Sequence, residues 1–288
     1  QLINENAFKT LPSLEIILIK KLQKNNKKLF LLSCGVDKKS VEYAINKKFR
    51  YSILSPYLEN PDLKKSYRHI LKYVSKSYVK LHEYLKENVN GIISSDIDYN
   101  IPYLNEKKHL RLIPNPINID KIKYEEIKTI NKIKILHGVN SKNYLKKGNI
   151  FFDKALKIIK EKYQDKIEII NTIDLNYIEH LKYVENSHIV LDQVYAYDQG
   201  YNALEAMALG KVVFTGAERE WLELYNLKEN SVAINALPNV NYLASKIEWL
   251  INNPNELKYI SKNARKFIEK HHHYITIAKE YENIWIKN

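Results

Sequence analysis

The stretch Ile189–Gly216, IVLDQVYAYDQGYNALEAMALGKVVFTG, decides the fold. Ile189-Val190-Leu191 is a short apolar run of the kind buried in a parallel sheet. Tyr195–Gly200 follows as a loop carrying one acid, Asp198, and one glycine. Ala203–Leu209 is strongly helix-forming, and Gly210 stands where a helix C-terminus favours positive φ. Lys211-Val212-Val213-Phe214 resumes strand. This is half of a doubly wound α/β unit, and such folds bind ligands at the carboxyl ends of their strands. Glu205 lies in the first turn or so of the helix. Free backbone N–H groups and the positive dipole end make a helix start a place for anions. A carboxylate beside such a place needs a reason, and hydrogen bonding to sugar hydroxyls next to a phosphate is one.

The same alternation extends upstream. Ile133–Leu136 reads as a strand, His137–Gly148 (HGVNSKNYLKKG) as a loop, and Asn149 to about Tyr163 as an amphipathic helix. Ile150, Phe151, Ala155, Leu156, Ile158 and Ile159 form its apolar face. Lys166–Ile170 is the next strand, Asn176–Asn186 the next helix, and Ile189–Asp192 the strand after it.

With these elements in order, GYNALEAMALGKVVFTG (Gly200–Gly216) resembles the signature of retaining GT-B glycosyltransferases of the bacterial group 1, family 4-like class. The likeness covers roughly Pro114 to the C-terminus and is weaker before it. It implies an α/β protein of two Rossmann-like, doubly wound domains facing a cleft, using a nucleoside-diphosphate sugar as donor. In that family a Lys-Gly pair, here Lys147-Gly148, closes the loop and its lysine contacts the donor diphosphate. Glu205 matches the acid that takes the ribose hydroxyls. Gly200, Tyr201 and Asn202 open the helix at the donor, while His137 and Gly138, ending the preceding strand, approach the same phosphates. A diphosphate grows more negative as the glycosidic bond breaks, so positive charge and N–H donors belong there. In retaining members no protein nucleophile is established, and the leaving phosphate is thought to help deprotonate the acceptor. No hydrolase-type carboxylate pair is nominated. The resemblance implies no metal and no further cofactor, because side chains and a helix end neutralise the diphosphate.

Two positions depart from the family pattern. Its second acid, eight residues before the glutamate, is Tyr197 here, and Asp198 beside it either serves through a shifted loop or is a turn residue. The arginine often found before Lys-Gly is missing, since no Arg lies between Arg111 and Arg219. Lys142 or Lys146 would replace it without a bidentate fork.

The 288 residues suggest about two domains, and a mean hydropathy of -0.43 fits a soluble globular chain. No apolar run reaches the roughly 18 residues of a membrane span, and no signal-peptide pattern opens the chain. The single Cys34 excludes an internal disulfide and fits a reducing cytoplasm. The net charge of +13 is uneven, with 21 basic against 11 acidic residues up to position 118. That excess points either to an anionic lipid or pyrophosphate-linked acceptor or simply to a lysine-rich composition. No helix carries a continuous basic stripe with a reading motif, so nucleic acid is not expected.

In the first half, Pro12–Asn25 reads as a helix with Ser13 as its cap, Lys28–Leu32 as a strand, Asp62–Glu87 as one long helix, and Gly91–Ser94 and Leu110–Ile113 as strands. Gly35 and Asp37 fit the family's acceptor-side G-x-D, or else form a turn with Asp37 starting a helix. The family's opening strand and Gly-bearing loop are not visible, so the N-terminal domain is expected to lack its first strand. The expected domains are 1–117 on the acceptor side, 118–274 for the nucleotide sugar, and 275–288 as a helix that in the family crosses back to the first. Pro114-Asn115-Pro116 is the connector. Asp192 reads as a strand-end group rather than a ligand, and His271-His272-His273 as a solvated helix start rather than a metal site.

The resemblance implies a hexosyltransferase-type enzyme acting on a glycan or lipid-linked acceptor in polysaccharide or lipopolysaccharide assembly. It would work in the cytoplasm or peripherally at the inner face of the plasma membrane. An inactive scaffold subunit of the same fold stays open on account of Tyr197 and the missing arginine. So does a sugar-nucleotide epimerase.

Overall fold

The computed structural model describes residues 1–127 and 131–288. They form two compact units, residues 1–115 with 275–288 and residues 116–274. Among the described residues no helix is long and apolar enough to cross a membrane.

Unit 1 runs β1 (Leu2–Ile3), α1 (Pro12–Asn25), β2 (Phe30–Ser33), α2 (Lys38–Ile45), α3 (Ser55–Glu59), α4 (Lys64–Leu71), α5 (Lys76–Asn88), β3 (Gly91–Ser94), α6 (Ile97–Tyr103) and β4 (His109–Leu112). Its strands are parallel, in the order β1-β2-β3-β4. The described residues open on a two-residue strand at the sheet edge, where Leu2 and Ile3 pair with Leu31 and Leu32. The turn after β1 uses Asn4 at φ 70 in place of a glycine. Asparagine tolerates that region by bonding locally, and Asn4 Nδ2 donates to the carbonyls of Cys34 and Val36.

The single helix expected over 62–87 is broken. Tyr73 and Tyr78 are both buried, with ring centroids 5.0 Å apart. Residues five apart point about 140° apart on a straight helix, so the chain turns through an extended Ser75 to bring both into one core. Ser13 does not cap α1 either. Pro12 begins the helix, and the buried Glu15 reaches back to the amide of Thr10 at 2.9 Å.

Unit 2 runs β5 (Ile133–Val139), α7 (Tyr144–Lys147), α8 (Asn149–Tyr163), β6 (Ile167–Ile173), α9 (Tyr177–Glu185), β7 (Ile189–Leu191), α10 (Tyr201–Ala208), β8 (Val212–Thr215), α11 (Arg219–Tyr225), β9 (Ile234–Asn235), α12 (Val240–Asn252) and α13 (Pro254–His271). The five parallel strands lie in the order β6-β5-β7-β8-β9. β7 and β8 are buried along their whole length, as strands covered on both faces must be. The order reverses between β5 and β7, and that switch point is where such sheets leave a crevice for ligands.

The face of α8 is narrower than expected. Phe152, Ala155, Leu156 and Ile159 are buried at i, i+3, i+4 and i+7, whereas Ile150 is exposed. The three histidines are not a solvated helix start. His271 ends α13, His272 is buried, and both rings pack on Phe267. The final helix, α14 (Tyr274–Lys287), sets Ile277 and Ile284 against Phe30, Ile93 and Ile113 of unit 1, and Glu280 pairs with Arg111.

Candidate active site

The crevice at the switch point of unit 2 is a cleft of about 510 Å³. Gly138, Val139 and Asn140 from the end of β5, Lys142 and Lys147 from the following loop and helix, and Thr172 and Asp174 from the end of β6 line it. Tyr177 and His180 of α9 and Asn202 of α10 complete it. The local sequence builds this rim. Asn140 caps a short turn by accepting from the Lys142 amide, and the amide and hydroxyl of Ser141 donate to Asp174 at 2.8 and 2.7 Å. Those bonds hold the Asp174 carboxyl below its usual range. Gly148 then turns the chain at φ 69, where an added Cβ would lie 2.9 Å from Val194 Cβ. That turn presents Lys147, whose carbonyl accepts from the Val194 amide.

The Lys147 ammonium lies 2.7 Å from Oδ1 of Asp192, which is buried at the end of β7 and also accepts from Thr215 Oγ1 at 3.3 Å. Asp192 is thus the counter-ion of the lysine. Sequence reasoning missed this partner because the two residues are 45 apart in the chain and meet only through sheet order.

α10 begins at Tyr201 with Gly200 as its N-cap residue. Glu205 is the fifth residue of the helix, so it sits in the second turn rather than the first. It faces a neighbouring cleft of about 580 Å³, shared with Tyr177, Tyr201 and Lys211. Tyr177 Oη donates to Glu205 Oε1 at 3.2 Å, and Tyr177 lines both clefts. Burial raises the Glu205 carboxyl above its usual range, and the Tyr177 bond offsets part of that rise. Tyr177 and His180 stand three apart on one helix face, a spacing carried by the sequence of α9 itself.

Other nominated residues are placed elsewhere. His137 does not line the 510 Å³ cleft. Its ring is buried beneath α8, with Nε2 3.0 Å from Asn149 Oδ1 and Nδ1 3.2 Å from Asp153, so an approach to phosphate is not its geometry. Burial pushes this imidazole below its ordinary range, against the opposing pull of Asn149 and Asp153. Asp198 lies in a loop fixed from both sides. Gln199 Nε2 donates to the Gly216 carbonyl at 2.6 Å, and the Glu218 amide donates to the Tyr197 carbonyl at 3.0 Å. In unit 1 Asp37 is fully buried as the N-cap of α2. It accepts from the Ser40 amide at 2.8 Å, Ser33 Oγ at 2.5 Å and Tyr103 Oη at 3.0 Å. Gly35 takes φ +67 in the turn before it. The helix-initiation reading of this pair accounts for the Ser40 bond to Oδ1, while Ser33 and Tyr103 tie Oδ2 to the strand before it and to α6.

A family model described as glycosyl transferase-like matches residues 140–283. No curated protein matches the chain. Among solved structures, HepE of Anabaena in complex with UDP superposes with a TM-score of 0.60 at 13% identity, covering 99% of this chain and 84% of its own. Sucrose-phosphate synthase of Thermosynechococcus elongatus gives 0.58 at 15%, covering 98% and 79%. A glycosyltransferase of Rickettsia africae gives 0.51 at 15%, covering 90% of each. At these identities the likeness establishes a shared fold of the GT-B type.

Proposed function

Since the chain belongs to the glycosyl transferase-like family matched over residues 140–283, we propose that it moves a sugar from a nucleoside diphosphate to a glycan or lipid-linked acceptor, with retention of configuration. The observation that carries this is the position of Lys147 on the switch-point cleft, beside Gly138 and the start of α10. A diphosphate there meets an ammonium, the N–H groups opening α10, and Lys142 at the rim. These groups act where negative charge develops as the leaving group departs. Glu205 in the adjoining cleft accepts the ribose hydroxyls, held in place by Tyr177. Retention and the polysaccharide setting rest on the resemblance of Gly200–Gly216 to group 1 enzymes. UDP is the first donor base to test, since HepE was solved with it.

Contact with an anionic acceptor or membrane surface falls to unit 1. Exposed Leu11, Leu14 and Ile17 form a stripe on α1 and its entry, continued by exposed Lys20, Lys21 and Lys24. Apolar residues beside lysines suit an interface with anionic headgroups.

The test is calorimetric binding of UDP, GDP, ADP and CDP to the parent and to Lys147→Ala. One nucleotide should bind the parent, and the variant should bind it about 10- to 100-fold more weakly, the worth of one charge-assisted contact. Binding of none, or equal binding by both proteins, overturns the proposal.

A further inference from the structure

His180 is the one imidazole on the switch-point cleft among the described residues. It is the fourth residue of α9, so it faces the end of β5. A Cβ added to Gly138 would lie 2.7 Å from its Cε1 and 3.1 Å from its Nδ1. The ring therefore rests directly on the glycine, where a phosphate would touch the end of β5. None of the hydrogen bonds among the described residues uses either ring nitrogen. The charged and titratable groups around it are Lys147 from α7, Lys142 before it, Asp192 after β7, Asp174 after β6, and Tyr177 on its own helix. Asp192 is taken by Lys147 and Asp174 by Ser141, so neither carboxylate bonds the ring.

Resting on the donor site proposed above, we infer that His180 is a further ligand of the donor diphosphate, taking up a proton as the diphosphate binds and donating a charged N–H to it. Burial holds the imidazole below its ordinary 6.5, and Lys147 lowers it further against the opposing pull of Asp192. The ring is then neutral at pH 7. An incoming diphosphate reverses the sign of the local field and favours the imidazolium. Binding and protonation are thus linked. Below the free-ring value the ring is charged before and after binding, and above the bound-state value it is neutral in both. Between the two, affinity rises as pH falls, by about tenfold per pH unit at most for one proton.

UDP titrated at pH 7 in two buffers of different ionisation enthalpy gives the number of protons taken up. The ionisation of free UDP is common to every protein and cancels in the difference. Parent protein should take up about 0.3 to 1 proton more than His180→Gln, which should bind about 5- to 20-fold more weakly at pH 6.5. His180→Lys carries a fixed charge and should restore affinity without the extra proton. Equal proton counts for parent and His180→Gln overturn the inference, even if affinity falls, because a merely structural ring moves no protons. In that case weakened binding by Lys147→Ala still upholds the donor site. If UDP does not bind the parent, inorganic pyrophosphate, which needs no matching base, replaces it in the same comparison. Failure of pyrophosphate as well overturns the donor site and this inference together.

Discussion

Gly216 directly follows β8 and lies against the loop that leads into α10, and its replacement by alanine tests whether that loop positions the donor site. An added Cβ would lie 2.5 Å from the Ala196 carbonyl oxygen and 2.6 Å from both the amide nitrogen and carbonyl oxygen of Asp198. All three are backbone atoms, so no side chain can swing away. Restoring an ordinary 3.4 Å contact from 2.5 Å requires the loop to retreat by about 0.9 Å. That retreat stretches the bonds from Gln199 to Gly216 and from Glu218 to Tyr197, now 2.6 and 3.0 Å. Each contributes about 0.5–1.5 kcal/mol, and with the residual overlap the cost is about 2–3 kcal/mol. At about 2–4 °C per kcal/mol for a chain of this size, the unfolding midpoint should fall by roughly 5–10 °C. The displaced loop carries Gly200 and the start of α10 with it, so UDP affinity should fall as well. Gly200→Ala is the contrast, because nothing lies within 4 Å of the added Cβ. It should lose only the N-cap preference, about 0.5–1 kcal/mol. Differential scanning calorimetry of both variants decides. A Gly216→Ala protein melting within about 2 °C of the parent, or no lower than Gly200→Ala, refutes the account of a pinned loop.

Glu205→Ala should bind UDP and 2′,3′-dideoxy-UDP about equally, whereas the parent should prefer UDP by about 10- to 100-fold; an unchanged preference in the variant removes Glu205 from the ribose. Its raised carboxyl also means that this preference should fade as pH falls at a somewhat higher pH than an exposed glutamate would give. In unit 1 the buried His82 pairs through Nδ1 with the buried Glu5, which also accepts from the Lys38 amide at 3.1 Å. Burial alone would push His82 down, but the hydrogen bond and charge of Glu5 outweigh it and hold the ring above its ordinary 6.5. A raised folded-state value stabilises the fold fully below pH 6.5 and loses that contribution as pH rises through the folded value. The parent's midpoint should therefore drop more than that of His82→Gln between pH 6 and pH 9, and parallel curves would discard the linkage.

Much of unit 2 was legible because its signals are local. The bounds of α8 follow from Gly148 before it and the periodic apolar residues within it, and Gly210 takes the positive φ of 80° expected after α10. Lys147, Gly138 and Asn202 meet at one cleft because a doubly wound sheet sets consecutive strand ends side by side. The errors fell where burial outweighs local pattern. His137 reads as a strand-end group facing ligand, but its place in β5 turns the ring under α8. The helix expected over 62–87 is continuous in composition, yet breaks so that Tyr73 and Tyr78 share a core. β1 is two residues long, below any periodicity a sequence can display, and exists only because β2 offers it an edge.

The sequence by itself determined the class of fold, the family likeness and the order of the donor-site segments, since each rests on residues close in the chain. The tertiary structure alone decided that Lys147 is held by Asp192, that Glu205 leans on Tyr177, and that His180 rests on Gly138. Those pairs are 45, 28 and 42 residues apart. Charge and hydrogen bonding act over a few ångströms of space, and only the order of strands in the sheet sets which distant residues come that close.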